Sequence, residues 1–318
     1  MPSHAMEGPA PVWGIIGAGA VGGFYGFRLA RAGQSVLYLT RGATLEALRR
    51  DGLRVTSDGA QFTVAVRATA DPEELQECAV IFVAVKNPDL QQALEMTRRA
   101  LQPRAFAVTL QNGIGAPAKA SEALGEGRVV AGIAYLGCAR VGPGEIVHTG
   151  LGRLTVGEPG GGSSARCRGL AARLEACGIP TRASARIEED LWKKLAWNAA
   201  FNGPTALARC PPAALLRQPE SQALCRALVE EVAAAARIRG ILLPPDLPDE
   251  ILRMSETLTD LRTSMLQDLE AGRPSEIEAL YLETLRILEG AGLPAAAHRA
   301  VAGMLAAAET GFSAPRCS

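Results

Sequence analysis

The chain has 318 residues, of which 48% are hydrophobic and 21% charged, so it contains enough apolar material for one large domain or two. Its formal net charge is zero and its pI is about 6.8, so the composition does not favour binding to nucleic acid or to an anionic membrane. The sequence contains no run of about 18 apolar residues, so no membrane span is predicted.

The first half of the chain alternates strand-like runs with helical patterns. Residues 1–11 lack an apolar core and are expected to form a flexible tail rather than a secretory signal. Strands are expected at residues 12–16, 35–39, 81–85, 106–110, 129–134 and 180–183. Strands separated by helices predict a doubly wound, Rossmann-type α/β domain over residues 12–185. A glycine-rich stretch at 157–164 resembles a linker, but a further helix and strand follow it.

The second half has a helical pattern throughout. Helices are expected at residues 187–207, 219–239, 248–271, 275–290 and 294–310. The first of these carries a Gly-Pro pair at 203–204, where it could break. Because no strand signal appears, residues 186–318 are predicted to form an all-α helical domain.

A glycine-rich turn follows the first strand and opens the first helix. It has the pattern G-x-G-x-x-G, in which the glycines permit a tight turn, close approach of a pyrophosphate and close helix packing. Its location in a βαβ unit predicts a dinucleotide-binding site. The expected cofactor-binding residues are Gly17, Ala18, Gly19, Ala20, Val21 and Gly22.

Polar residues follow three of the predicted strands. Arg41 stands where an NAD site commonly has an acidic residue, so NADP is favoured, although Arg41 could simply be a surface charge. Lys86 and Asn112 follow the next two strands, at the edge where open α/β sheets bind ligands. Either residue could equally be an ordinary surface or turn residue.

Three polar residues, Lys194, Asn198 and Asn202, are spaced four apart in an otherwise apolar helix. At about 100° per residue they share one face, which we call the polar stripe. Unpaired burial of such groups is costly, so they need partners. The polar stripe is either a solvated or interdomain seam, or a binding site for a polar ligand with a carbonyl or hydroxyl group.

Together these motifs resemble the ketopantoate reductase (2-dehydropantoate 2-reductase) family. The matching segments occur in the family's order from about residue 12 to 310: GAGAVGG, Arg41, VAVKNPD, LQNGIG, LWKKLAWNAAFNGPTAL and TSMLQDLEAGRPSEIE. The resemblance implies an enzyme that reduces 2-dehydropantoate to (R)-pantoate with NADPH, a step towards pantothenate and coenzyme A.

The resemblance also implies a role for each matching residue. Lys194 would be the catalytic proton donor and Glu276 an acidic catalytic residue beside it. Glu276 also lies in the first turn of its predicted helix, where the dipole alone would favour an acid. The substrate-binding set would be Asn112, Asn198, Asn202 and Ser264. The cofactor side would comprise residues 17–22, Arg41, Lys86, Asn112 and Cys138.

Two departures from the family pattern concern the substrate pocket. Gly203 follows Asn202 where many members have proline, and no asparagine replaces a polar contact near Pro211 and Pro212. The sequence therefore leaves open the alternative that the substrate is another 2-oxo acid. The alternatives of other classes are a β-hydroxyacid dehydrogenase and a non-catalytic NADP-binding sensor.

The cysteines and histidines indicate whether the protein is expected to bind a metal and in which cellular compartment it is expected. The seven cysteines are scattered, without a C-x-x-C pair, which fits a reducing cytoplasm. The three histidines lie far apart, so no metal site is expected. The expected partner is a small 2-oxo acid, with no nucleic acid or membrane. The oligomeric state stays open, with a homodimer among the alternatives.

Overall fold

The structure, a computed structural model, describes residues 12–313. The tail expected over residues 1–11 lies outside the described residues. Within them the chain divides into two compact units. The first comprises residues 12–111 and 116–187, and the second comprises residues 112–115 and 188–313.

The described part of the first unit contains one ten-stranded sheet, in the order β4-β3-β9-β8-β7-β6-β1-β2-β5, with β10 paired to β9. The strands are β1 (Val12–Ile16), β2 (Val36–Leu39), β3 (Leu53–Ser57), β4 (Ala60–Val64), β5 (Arg67–Thr69), β6 (Cys78–Val83), β7 (Phe106–Thr109), β8 (Val129–Gly142), β9 (Glu145–Gly157) and β10 (Thr181–Ser184). Five helices accompany the sheet: α1 (Ala20–Arg31), α2 (Gly42–Asp51), α3 (Leu90–Ala100), α4 (Ala116–Leu124) and α5 (Ala165–Ala176).

Helices cover both faces of the sheet. The central strands are apolar throughout, so both of their faces have to be buried. In β1, Ile15 points to a core that also contains side chains of α1 and α5. Its neighbour Ile16 points to a second core formed with α3 and α4. Alternate residues of a strand face opposite sides, so this division confirms the doubly wound Rossmann-type arrangement.

Part of the sheet was not predicted from the sequence. The strand expected at residues 129–134 is much longer, and its partner β9 was not expected at all. The short strands β3, β4 and β5 were also missed. β4 is mostly exposed and β9 contains several glycines, so neither shows the apolar run that marks a buried parallel strand.

The described part of the second unit is all helical, as predicted. Its helices are α6 (Ile187–Ala208), whose first residue is grouped with the first unit, α7 (Pro212–Leu216), α8 (Pro219–Ile238), α9 (Leu247–Ser255), α10 (Ser264–Glu270), α11 (Glu283–Gly290) and α12 (Ala296–Ser313). Their apolar faces form one core that includes Phe201, Val232, Tyr281 and Leu305. None of the helices described in either unit is long and apolar enough to span a membrane.

The prediction of a single helix over residues 248–271 is wrong. The chain forms α9 and α10 with a non-helical stretch at 256–263 between them. Thr263 ends this stretch, because its hydroxyl accepts the Leu266 N–H and caps α10. The helix expected at 275–290 begins only at Ile277 and passes through a π-helical turn, Glu278–Leu282, before α11.

Gly26 lies where α1 packs most tightly on the sheet. A Cβ at this position would lie 1.9 Å from Tyr38 Oη and 2.5 Å from Ile15 Cδ1. We therefore expect Gly26→Ala to lower the free energy of unfolding by about 1–3 kcal/mol, because either α1 or Tyr38 must move.

Gly169→Ala is the matched control, since Gly169 is an exposed glycine inside α5 where an added Cβ would meet no atom within 4 Å. Here alanine should stabilise the unit by up to ~1 kcal/mol through helix propensity. Urea denaturation of both variants measures the difference. Equal effects of the two substitutions would contradict the packing described for α1.

Candidate active site

The glycine-rich turn has the geometry that a dinucleotide pyrophosphate requires. Gly17 has φ +100°, and a Cβ there would lie about 3 Å from the backbone of Ala84. A Cβ at Gly22 would lie 2.0 Å from Gly17 O, so the helix and the turn can approach only without it. A Cβ at Gly19 would meet nothing within 4 Å, which leaves the backbone open at the start of α1. These residues fit a bound dinucleotide.

The start of α1 carries no negative charge. No acidic residue lies in its first turn, and Gly19, at the N-cap, makes no side-chain cap bond. Cys138 lies beside it, with its Sγ donating to Ala20 O at 3.5 Å. Burial raises the pKa of the Cys138 thiol to about 12, so the thiol stays neutral near pH 7. The helix N-terminus is therefore free to attract phosphate.

The other expected cofactor residues of the first unit lie at strand ends. Arg41 is exposed and is the N-cap residue of α2, which also lacks acidic residues in its first turn. Lys86 is exposed in the loop after β6. Gln111, which was not selected from the sequence, holds this loop: its Nε2 donates to Val83 O at 2.9 Å and to Val85 O at 3.0 Å.

Asn112 belongs to the second unit and binds two of the predicted catalytic side chains. Lys194 Nζ donates to Asn112 Oδ1 at 2.9 Å, and Asn112 Nδ2 donates to Glu276 Oε2 at 2.8 Å. The carboxamide thus joins the ammonium to the carboxylate. The sequence placed Asn112 beside the cofactor and substrate, whereas its observed hydrogen bonds are to Lys194 and Glu276.

The turn that carries Asn112 is shaped by the glycine that follows it. Gly113 has φ +86°, and a Cβ there would lie 2.9 Å from Ala279 O. Any larger residue would be strained and would push the segment away from the π-helical turn. The sequence Asn112-Gly113 is therefore more than an ordinary turn, because it brings the amide close to Glu276.

Lys194 is partly buried, and this environment changes its acidity. Desolvation lowers its pKa to about 8, and the negative charge of Glu276 opposes the decrease. Most of the lysine is therefore protonated at pH 7, and its pKa lies near the pH at which proton transfer is efficient. The adjacent Lys193 differs, because its Nζ pairs with Glu189 Oε1 at 2.6 Å, one turn earlier on α6.

The two asparagines of the polar stripe are almost fully buried, with 5% of Asn198 and 3% of Asn202 exposed. Asn198 Nδ2 has no hydrogen-bond partner among the described residues. A buried amide without a partner is costly, so this donor is suited to a ligand oxygen. The solvated seam considered from the sequence is thus excluded for these two side chains.

Ser264 is exposed at the first position of α10. The preceding residue, Thr263, fixes this helix to α6, because its hydroxyl lies 2.8 Å from that of Thr205. Asp268, which shares a face with Ser264, pairs with Arg273 Nε at 3.0 Å. The sequence singled out Ser264 but gave no signal for the Thr263–Thr205 contact.

Tyr281, which was not selected from the sequence, leaves no room for a side chain at position 203. A Cβ at Gly203 would lie 2.4 Å from Tyr281 Oη and 2.6 Å from Val301 Cγ1. The chain nevertheless continues as helix through Pro204 to Ala208, so α6 does not break at the Gly-Pro pair. The other departure, Pro211-Pro212, begins α7, where a proline costs no helical hydrogen bond.

A Rossmann-type domain with a dinucleotide turn, followed by a helical domain with a lysine–carboxylate pair, defines a class of nicotinamide-dependent oxidoreductases. Comparison with known proteins specifies the family. Residues 13–161 match the family model "Ketopantoate reductase PanE/ApbA", and residues 186–309 match its C-terminal counterpart.

Individual relatives agree with this assignment. A 2-dehydropantoate 2-reductase of Mesorhizobium japonicum is 33% identical over 287 residues, covering 84% of this chain and 88% of the relative. The crystal structure of a PanE/ApbA family ketopantoate reductase from Ralstonia eutropha has a TM-score of 0.87 and 32% identity, covering 95% of this chain and 100% of that one. A D-mandelate dehydrogenase structure with NADH has the same fold, with a TM-score of 0.87 at 22% identity, covering 95% of this chain and 100% of that one.

The chain belongs to the ketopantoate reductase family and is an oxidoreductase. This excludes the alternative of a β-hydroxyacid dehydrogenase and leaves no support for a non-catalytic sensor.

The electrostatic pairing of Lys194 and Glu276 predicts a measurable change in acidity. Glu276→Gln should lower the Lys194 pKa below about 8, because the charge that favours the ammonium is lost. The chain has only four lysines, so ¹³Cε-lysine NMR can follow Lys194 through a pH titration.

Glu278→Gln is the control, because Glu278 is exposed and pairs with Arg286 at 2.5 Å. This variant should leave the Lys194 titration unchanged. A Lys194 pKa that stays constant or rises in Glu276→Gln would disprove the coupling.

Proposed function

We propose that this enzyme reduces 2-dehydropantoate to (R)-pantoate with NADPH, as a step towards pantothenate and coenzyme A. The observation that carries the proposal is the hydrogen-bonded series Lys194–Asn112–Glu276. It provides a positioned, charged proton donor beside buried amides with hydrogen-bonding capacity. Membership of the ketopantoate reductase family supports the same reaction.

NADPH is favoured over NADH by the charges at the end of β2. Arg41 is exposed at the N-terminus of α2, where its guanidinium and the free backbone N–H groups could bind a 2′-phosphate. The first turn of α2 has no carboxylate to repel that phosphate. Residues 17–22 would hold the pyrophosphate, with Cys138 beside them and Lys86 providing a further positive charge.

The reduction adds a hydride to the ketone carbon and a proton to the ketone oxygen. The bound cofactor supplies the hydride. Lys194 supplies the proton, and its positive charge stabilises the negative charge that develops on the oxygen. Asn112 and Glu276 keep the ammonium oriented and protonated. The products are a 2-hydroxy acid, the oxidised cofactor and a neutral lysine, and the lysine regains its proton from solvent.

The substrate would be held by groups arranged along α6 and α10. Asn198 Nδ2 is a buried donor without a partner among the described residues, and Asn202 lies one turn further along the same face. Ser264 offers an exposed hydroxyl at the start of α10 for the substrate carboxylate.

NADPH oxidation with a panel of 2-oxo acids tests the proposal. The panel comprises ketopantoate, pyruvate, 3-methyl-2-oxobutanoate and phenylglyoxylate, which differ in bulk next to the ketone. Ketopantoate should give the highest kcat/KM. Turnover of another acid without turnover of ketopantoate would refute the specific substrate and retain an NADPH-dependent 2-oxo acid reductase.

Lys194→Ala should lower kcat by ~10²- to 10⁴-fold, because the proton donor is lost. Lys193→Ala removes the same charge from the adjacent position, whose ammonium pairs with Glu189, and should retain nearly full activity. NADPH affinity, measured by fluorescence titration, should be unchanged in both. Equal losses of kcat in the two variants would contradict the assigned proton donor.

Arg41→Ala should weaken NADPH binding by roughly 10- to 100-fold and leave NADH binding nearly unchanged, because the lost charged hydrogen bonds involve only the 2′-phosphate. Arg50→Ala is the control, since Arg50 lies on the same helix and pairs with Asp51 at 2.8 Å. Calorimetric titration with both cofactors measures the effect. An equal loss of affinity for NADPH and NADH would rule out Arg41 as the phosphate ligand.

A further inference from the structure

One buried tyrosine hydroxyl is hydrogen-bonded to two backbone groups of the helix that carries the polar stripe. Tyr281 Oη accepts the Gly203 N–H at 2.6 Å and donates to Ala199 O at 2.8 Å. These two backbone groups are four residues apart, so an α-helix normally pairs them directly. A side-chain hydroxyl that binds both groups therefore acts on the local geometry of the helix.

The hydrogen bonding at the next carbonyl along α6, that of Ala200, also differs from that of a regular α-helix. Pro204 has no N–H, so Ala200 O cannot receive its usual helical hydrogen bond. Cys225 Sγ, on α8, donates to Ala200 O at 3.2 Å instead. Two successive carbonyls of α6 are thus bonded by side chains from other elements.

The affected carbonyls lie between Asn198 and Asn202. Ala199 directly follows the first asparagine, and Gly203 directly follows the second. The local shape of α6 at this point therefore determines how far apart the two carboxamides lie. Lys194 precedes the altered turn and is held separately by Asn112 and Glu276.

Tyr281 itself is rigidly placed. Its side chain is fully buried, and burial raises the pKa of its hydroxyl, which therefore stays protonated and able to donate. It lies in the π-helical turn Glu278–Leu282, shortly after Glu276 in the chain. Gly203 lacks the Cβ that would otherwise meet the hydroxyl at 2.4 Å.

We infer that Tyr281 is a positioning residue that sets the spacing of Asn198 and Asn202, and thereby selects among 2-oxo acids of different size. The inference rests on the proposed function, because it treats the two asparagines as substrate contacts. In Tyr281→Phe the ring remains and the hydroxyl is lost. Gly203 N–H and Ala199 O then lose their shared partner, and Asn202 moves relative to Asn198.

The test compares Tyr281→Phe with Ser255→Ala. Ser255 is a matched control, because its buried hydroxyl also bridges α6 and a backbone carbonyl: it accepts from Trp197 Nε1 at 3.0 Å and donates to Ile251 O at 2.8 Å. Both substitutions should lower the Tm to a similar extent. Only Tyr281→Phe should change the ratio of KM values for ketopantoate and pyruvate, by about fivefold or more, the size that one hydrogen bond carries.

Two further readouts separate the positioning role from the proposed reaction. In ¹⁵N-glycine-labelled protein the Gly203 amide resonance should shift in Tyr281→Phe and not in Ser255→Ala. If the wild type reduces none of the acids, the same comparison is made on equilibrium binding of the acids to the NADP⁺-bound protein, and a changed preference there retains the positioning role while the reaction fails. An unchanged preference in Tyr281→Phe, or an equal change in Ser255→Ala, overturns the inference.

Discussion

The desolvation of one ammonium group is the constraint on which the second unit's site depends. Lys194 loses solvent on a helix whose other faces are packed in an apolar core, and its pKa falls to about 8. Without compensation a lysine in this environment would lose its proton near neutral pH. Glu276 supplies the opposing charge, and Asn112 satisfies hydrogen bonds of both groups. A short glycine turn and a π-helical turn are needed to bring these two residues to the lysine.

The sequence predicted the parts of the site that follow a local pattern. The glycine-rich turn and the polar stripe are read from spacing along one strand–helix unit or one helix, and the structure gives both the geometry expected. The central strands were found for the same reason, since a parallel strand covered on both faces is an uninterrupted apolar run. Strands such as β4 and β9 are partly exposed, so their residues do not show that pattern.

Contacts between distant parts of the chain were not predictable in the same way. Asn112 and Glu276 are separated by 164 residues, and nothing in the sequence Asn112-Gly113 distinguishes an ordinary turn from one that contacts Glu276. Tyr281 has the spacing of an ordinary core aromatic, and its sequence position does not indicate that its hydroxyl binds the backbone of α6. Residues 256–263 have leucines at nearly helical spacing, so the sequence suggested one helix where Thr263 begins a new one.

The grouping of residues 112–115 with the second unit has a consequence for how this protein can be recombined. A gene fragment that begins at the boundary near residue 186 encodes the complete run of helices from α6 onwards, yet it omits the amide that joins Lys194 to Glu276. Chimaeras that exchange the two halves of the gene between relatives would therefore pair the lysine of one parent with the asparagine turn of the other. A chimaera that keeps this hydrogen-bonded series from one parent therefore has to take the turn after β7 and the helix α6 from the same relative.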